Sequence, residues 1–329
     1  MIIPVTQLEY DKGRQVFDTV EGHTFVPVSD NETALASFIE SNGCSAVVVG
    51  VAPYSGPLYN ALPQGGLILR FGVGTDNIDL ARAAARGIRV ANTPGALDQS
   101  VAEHTLFLIG ALVRHVGQGD LALKQGTWAP VTGDELGDLK LGIVGMGRIG
   151  ARVARMAHAT FGMEILVCET LSEEAVATRL EMDAQALRQQ LGYTGWSSDP
   201  DFILGQADVV SAHLPVVAAT RGFFCAARFA ALKRGSLFVN TARGALVVES
   251  DLVAALKSGH LGGAALDVYE REPYTATDAV LDLRTVPTVI MTPHIASNTR
   301  AANRRMASMV IENLLNWEAG LQDAVHIVG

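Results

Sequence analysis

Apolar residues never run unbroken to the roughly 18 needed to cross a bilayer, so no membrane-spanning helix is expected. The first residues, Met-Ile-Ile-Pro-Val-Thr-Gln-Leu-Glu-Tyr, carry neither a basic segment nor an extended apolar core, which argues against a signal peptide. Cysteine is scarce. Cys44, Cys168 and Cys225 stand far apart, without metal-ligand spacing, and point to buried thiols in a reducing compartment. Long basic runs are absent and the net charge is −9, which disfavours nucleic acid or an anionic membrane as partner. There is no internal repeat and no low-complexity segment. The chain has 329 residues, 49% of them hydrophobic and 18% charged. That suffices for substantial cores in one large or two moderate domains, and a cytoplasmic protein is expected.

The most informative stretch is Leu139–Gly150, Leu-Lys-Leu-Gly-Ile-Val-Gly-Met-Gly-Arg-Ile-Gly. Leu141–Val144 has the character of a buried parallel strand. Arg148–Ala159 follows as a helix, with Ile149, Val153, Met156 and Ala157 near one face. Gly145, Gly147 and Gly150 therefore fit G-x-G-x-x-G between a strand and a helix, the context that the motif requires. Gly145 makes the tight turn, Gly147 lets backbone approach a pyrophosphate, and Gly150 lets helix pack on strand. The free N–H groups of the helix N-terminus suit phosphates. A second strand, Glu164–Val167, leads to Glu169, about 20 residues past the last glycine, where an acid hydrogen-bonds the ribose hydroxyls of NAD. A carboxylate there also repels a 2′-phosphate, which favours NAD over NADP.

The rest of the chain alternates strands and helices. Before the motif, Ala46–Val49, Leu67–Phe71 and Val90-Ala91 read as strands. Leu80–Arg86 reads as a short helix with Asp79 as its cap, and Gln99–His115 as a long apolar-faced helix. Two loops stand out, 50–57 and Phe71–Asp79. The second has glycines that free backbone N–H groups for an anion. Trp128, in an irregular segment, suits either a core or a subunit contact. After the motif comes a polar helix-prone tract, Ser172–Leu191, then a loop with Gly195, Trp196 and Pro200. Strands follow at Asp208–Ala212, Ser236–Asn240, Gly263–Leu266 and Thr288–Met291. Helices follow at Ala226–Leu232, Glu249–Lys257 and Thr299–Trp317. Such alternation implies an α/β fold with a doubly wound parallel sheet.

His213, Arg243, Asp267, Glu272 and His294 each follow the C-terminal end of one of these strands, the edge where such sheets bind ligands. A nicotinamide cofactor at that edge needs a cation for a carboxylate or carbonyl, a group that exchanges a proton near neutral pH, and an acid to orient that group. Arg243, His294 and Glu272 are of these types.

The chain resembles the D-isomer-specific 2-hydroxyacid dehydrogenase family. The resemblance lies in Gly72-Val73-Gly74-Thr75-Asp76-Asn77-Ile78-Asp79, Ala102-Glu103-His104-Thr105, the glycine motif, His213-Leu214-Pro215, Asn240-Thr241-Ala242-Arg243-Gly244, Asp267-Val268-Tyr269 with Glu272-Pro273, and Thr292-Pro293-His294. It implies a flavodoxin-like substrate domain, residues 1–97 plus 297–329, with a Rossmann NAD domain, 98–296, inserted in it. It implies catalytic Arg243, Glu272 and His294, and substrate binding by Val73, Gly74, Arg243 and His294, with the carboxylate on the Val73 and Gly74 N–H groups and Arg243. The NAD site would comprise Val101, Gly145, Gly147, Arg148, Ile149, Gly150, Glu169, His213, Leu214, Pro215, Thr220, Thr241, Ala242, Arg243, Asp267 and His294, with Asp267 at the nicotinamide carboxamide. The implied partners are a small 2-hydroxy or 2-keto acid and a second copy in a homodimer, for which the stretch Val101–Val113 and nearby Trp128 offer apolar surface. No metal is expected.

Two relatives of the family differ at decisive positions. Phosphite dehydrogenases resemble this chain but place Lys where Val73 stands, and formate dehydrogenases use Gln where Glu272 stands. The alternative of another class is a non-enzymatic, NAD-sensing partner-binding protein similar to the co-repressors of this fold. The chain lacks the long disordered tails or peptide-docking extras such a protein would use.

Overall fold

The computed structural model describes every residue except Thr277 and Gly329. Two compact units are present, Met1–Leu97 with Ser297–Gly329, and Asp98–Ala296. Short aliphatic runs supply most of the strands of both.

In the first unit the strands are β1 (Ile2–Thr6), β2 (Thr24–Val28), β3 (Ala46–Val49), β4 (Leu67–Arg70) and β5 (Arg89–Ala91). They pair in parallel in the order β2-β1-β3-β4-β5, which is the flavodoxin-like order. Every residue of β3 and β4 is buried, as continuous apolar runs in a sheet covered on both faces should be. Helix starts are set by side chains. Asn31 accepts from the Ala34 N–H, Thr299 from Ala302, and Asp79, the expected cap, from Arg82 at 2.9 Å. The closing helix, Arg300–Glu318, packs on Gln7–Phe17 and β4. Its fully buried Asn313 donates to Asn92 O at 2.9 Å and accepts the His326 N–H at 3.0 Å.

The second unit has seven strands: β6 (Lys140–Val144), β7 (Glu164–Cys168), β8 (Tyr193–Ser197), β9 (Val209–Ala212), β10 (Leu237–Asn240), β11 (Gly263–Leu266) and β12 (Val289–Met291). All pair in parallel in the order β12-β11-β10-β9-β6-β7-β8. Chain order reverses direction between β6 and β9, the switch point at which doubly wound sheets bind dinucleotides. Helices Asp98–Val113 and Arg148–Phe161 pack on one face and Glu249–Lys257 on the other.

One element departs from expectation. Gly195 and Trp196, read as loop, belong to the edge strand β8, and Pro200 opens the helix Pro200–Leu204 behind the cap Asp199. The backbone of β7 needs partners on its open side. The anchoring of β8 comes from distant residues: Tyr193 Oη donates to Glu173 at 2.7 Å and Trp196 Nε1 to Leu171 O at 3.1 Å. A register shift at Ile165/Leu166 and the glycine hide its alternation in the sequence. The polar tract before it forms two helices, Glu173–Arg179 and Ala184–Leu191, capped by Ser172 and Asp183.

Among the described residues no single helix is long and apolar enough to cross a membrane.

Candidate active site

The glycine turn of the second unit shows a separate reason for each glycine. Gly145 has φ +97° and donates to Cys168 O at 2.9 Å; a Cβ on it would meet His213 O at 2.8 Å. A Cβ on Gly150 would stand 2.2 Å from Gly145 O, so helix and turn touch only because Gly150 lacks one. A Cβ on Gly147 would meet nothing within 4 Å. Gly147 is the N-cap of Arg148–Phe161 and carries no capping side chain, so its open side adjoins unsatisfied helix N–H groups. A turn bare of side chain, beside free donors and facing open space, fits a pyrophosphate.

Glu169 stands at the end of β7. Its carboxylate accepts the N–H groups of Met146 at 3.0 Å, Thr170 at 2.8 Å and Leu171 at 3.2 Å, and lies 3.3 Å from Arg179 Nη2. Burial pushes its pKa up, but these backbone donors and Arg179 outweigh burial and hold it below the usual carboxylate range. It is therefore a fixed anion beside the glycine turn.

His213 follows β9, with its N–H on Val144 O at 2.8 Å and Nε2 2.9 Å from Ser211 Oγ. The residue is half-buried, and desolvation pushes the imidazole down to about 4. Thr220 closes the turn after Pro215, donating to Pro215 O at 2.5 Å and accepting the Val217 N–H at 2.9 Å. Arg148 reaches back to the buried Asp98 at 3.1 Å, Val101 is buried, and Ile149 packs against the unit's core. Thr241 bonds Thr105 at 2.7 Å, which ties the end of β10 to helix Asp98–Val113.

The Arg243 turn is shaped by Asn240, fully buried, which donates to Arg243 O at 2.9 Å and accepts the Ala242 N–H at 3.0 Å. Arg243 Nη1 donates to Ala242 O at 2.7 Å. A Cβ on Gly244 would lie 1.8 Å from Tyr269 O, so this turn sits directly on the Tyr269–Glu270 backbone, two residues before Glu272. Glu272 Oε1 accepts the Tyr269 N–H at 3.0 Å, and its Oε2 takes His294 Nδ1 at 2.7 Å. Both side chains are about 30% exposed, so the pair reaches solvent.

His294 has φ +52°, a left-handed conformation in which His is tolerated better than most residues but still strained. Asp267 holds it there. The His294 N–H donates to Asp267 O at 2.9 Å, and the fully buried Asp267 carboxylate accepts the N–H of Ile295 at 2.9 Å, the N–H of Ala296 at 2.8 Å and the Thr292 hydroxyl at 2.6 Å. Burial raises the Asp267 pKa, while His104, Thr292 and these N–H groups bring it below its ordinary value. The Asp267 side chain thus spends its oxygens on fixing the His294 loop.

In the first unit, Val73 and Gly74 follow β4. The carbonyls of Gly72, Val73 and Gly74 are taken by Thr93 N at 3.0 Å, Asn92 Nδ2 at 2.7 Å and Arg70 Nε at 2.9 Å. A trans peptide points its carbonyl and the following N–H in opposite directions. The N–H groups of Val73, Gly74 and Thr75 therefore each point away from the donor on the preceding carbonyl. Arg70 and Asn92, which impose this, and Arg179, beside Glu169, drew no attention in the sequence, because their partners are backbone carbonyls or lie in another element. Tyr54, in the neighbouring loop, is buried rather than offered to a ligand.

Residues 106–296 match the profile of the family described as D-isomer specific 2-hydroxyacid dehydrogenase, NAD binding domain. The chain belongs to this family. It is 35% identical over 284 residues to a glyoxylate reductase of Korarchaeum cryptofilum, covering 84% of this chain and 80% of that protein. It is 35% identical to a D-3-phosphoglycerate dehydrogenase of Bacillus subtilis over 80% of its own length, but spans only about half (47%) of that relative. A D-lactate dehydrogenase from Aquifex aeolicus, solved with NAD and lactic acid, superposes with a TM-score of 0.82 at 26% identity, over 100% of this chain and 99% of that one. Membership of this dehydrogenase family agrees with the parallel NAD-type sheet of the second unit and its glycine turn. Among the described residues no group of His, Cys, Asp or Glu is placed to hold a metal.

Proposed function

We propose that this chain is an NAD-dependent oxidoreductase that interconverts a small D-2-hydroxy acid and its 2-keto acid. The observation that carries the proposal is the His294–Glu272 pair, 2.7 Å apart, with the His294 loop pinned by buried Asp267 at the C-terminal edge of the sheet that bears the glycine turn. Gly145, Gly147 and Gly150 admit the pyrophosphate, Glu169 takes the adenosine ribose, and the segments at His213–Pro215, Thr220, Thr241–Arg243 and Asp267 line the rest. Bound there, NADH supplies the hydride for C2.

Each proposed residue then has a task of its own. The carboxylate on Nδ1 holds His294 as the Nδ1–H tautomer, so Nε2 is the nitrogen that gives and takes the substrate proton. Glu272 is itself held by the Tyr269 N–H and so presents a fixed oxygen to the ring. Arg243, permanently cationic, holds the substrate carboxylate and polarises the keto oxygen, where negative charge develops in reduction.

The relatives' names give the first acids to try. NADH absorbance at fixed protein, against glyoxylate, pyruvate and 3-phosphohydroxypyruvate, tests the proposal. Turnover of any of them supports it, and no turnover across a wider 2-keto acid panel refutes it.

We also infer a homodimer. The expected apolar stretch Val101–Val113 is largely consumed inside its own unit, where Val101, Leu108, Ile109, Leu112 and Val113 are buried. What stays outside is Phe107, 74% exposed, and the segment after it. Helix Val116–Lys124 buries none of its residues, although Val116, Leu121 and Leu123 are apolar, and Trp128 is 85% exposed, which removes it from any core within the chain. Such a patch is the kind that a second copy covers.

A further inference from the structure

The adenosine end of the proposed NAD site holds a cation as well as an anion. Arg179, at the end of helix Glu173–Arg179, donates from Nη2 to Met146 O at 2.7 Å, and the same nitrogen lies 3.3 Å from Glu169 Oε2. Met146 is the residue between the first two glycines of the turn. Arg179 is thus attached at once to the phosphate turn and to the ribose-selecting acid.

The carboxylate is crowded. Oε2 receives Arg179 and the Met146 N–H, and Oε1 receives the N–H groups of Thr170 and Leu171 and the Thr170 hydroxyl. Those five donors meet about four lone-pair directions, so a ribose hydroxyl reaches Glu169 only by displacing one of them. The backbone donors cannot swing aside. The Thr170 hydroxyl and the Arg179 side chain, 43% exposed, can.

The helix that carries Arg179 is firmly seated. Val176 and Ala177 lie in the unit's core, as do Leu187 and Leu191 of the next helix. Glu173 binds Arg188 at 2.8 and 2.9 Å and Tyr193 Oη at 2.7 Å, which ties both helices to β8. The guanidinium is therefore delivered to the rim of the turn by a fixed scaffold, and a 2′-phosphate on the ribose would arrive beside it. Planar guanidinium forks suit phosphate oxygens.

We propose that Arg179 is a second determinant of cofactor choice: a 2′-phosphate-binding cation that Glu169 keeps occupied. The proposal rests on the NAD site assigned above. While the two are paired, Glu169 both repels the 2′-phosphate and engages the cation that would hold it. Without Glu169, Arg179 is released to the phosphate. Without Arg179, Glu169 faces the phosphate uncompensated.

The effects of the two substitutions therefore depend on each other, and a double-mutant cycle measures that dependence. NADH and NADPH binding is followed by nicotinamide fluorescence, with adenosine 2′,5′-bisphosphate as a competitor that carries the 2′-phosphate but no nicotinamide. The proteins are wild type, Glu169→Ala, Arg179→Ala, Arg179→Gln and Glu169→Ala/Arg179→Ala, each checked for its melting temperature. Glu169→Ala should raise the NADPH-to-NADH affinity ratio about tenfold or more and tighten the bisphosphate. Either Arg179 variant should lower the ratio, by about threefold or more. The double variant should lose most of the gain seen in Glu169→Ala. A gain that persists undiminished without Arg179, or a ratio that ignores Arg179, overturns the proposal while leaving the NAD site standing. Wild-type protein that binds neither nucleotide overturns both.

Discussion

Alanine at Gly147 and alanine at Gly150 should fail in different ways, three residues apart. At Gly147 an added Cβ meets nothing within 4 Å, and the backbone, at φ −76° and ψ −171°, suits any residue. The loss of a glycine N-cap costs less than about 1 kcal/mol. The stiffer unfolded chain returns about 0.4–1 kcal/mol, so net stability should hardly move. The same methyl stands on the open side of the turn, where the pyrophosphate must come close. Gly147→Ala should therefore melt like wild type and bind NADH at least tenfold more weakly. At Gly150 the methyl would sit 2.2 Å from Gly145 O. That oxygen belongs to a turn whose N–H is fixed on Cys168 O at 2.9 Å, so it has little freedom to retreat. Overpacking of this kind costs about 1–3 kcal/mol, against which better helix propensity returns about 1 kcal/mol at most. A net loss near 1–2 kcal/mol lowers the melting temperature by roughly 2–8 °C in a unit of this size, and NADH binding should fall as well. Thermal melts followed by circular dichroism, with NADH fluorescence titrations on the same samples, separate the two outcomes. A Gly147→Ala protein that binds NADH as tightly as wild type would refute the assignment of the turn, and an unshifted Gly150→Ala melt would refute the packing account.

Other outcomes follow from the same geometry. His294→Asn should lower turnover about 10²–10⁴-fold, the usual scale of acid–base catalysis, in a protein that still quenches with NADH; stopped-flow rates near wild type would remove His294 from the chemistry. The unfolded chain takes up a proton on His213 near 6.5 and the folded chain only near 4, so between those values the unfolded state binds more protons and stability falls as pH falls. From pH 7 to pH 5 that loss is about 2 kcal/mol from this residue, and urea midpoints should show His213→Asn losing correspondingly less than wild type over the same interval. Light scattering at micromolar protein should give twice the chain mass, and Trp128→Asp with Leu121→Asp should shift it to one; a monomeric wild type would dispose of the homodimer.

Much of the architecture was local enough to be legible in the amino-acid order. Buried parallel strands announce themselves as aliphatic runs, so Ala46–Val49, Leu141–Val144 and Gly263–Leu266 could be found without coordinates. Strand, glycine turn, helix and terminal acid follow one another along the chain, and Asp79 caps a helix that begins at the next residue. The family could be recognised for the same reason, since its motifs are short and contiguous. Residues whose partners come from afar could not be read that way. Strand β8 exists because β7 needs a partner and because Glu173 and Leu171 hold its aromatic side chains, a fact invisible in a segment with glycine at its centre. The apolar stretch Val101–Val113 looked like surface for a second subunit, yet its own sheet covers most of it, and the exposed apolar residues proved to be Phe107, Leu121 and Trp128. Asp267 stood in sequence simply as an acid after a strand; only the fold shows its carboxylate buried and holding the left-handed His294 loop. Arg70 and Arg179 have no signature at all, because a guanidinium's role depends on which carbonyls and carboxylates tertiary packing brings within 3 Å or so of it.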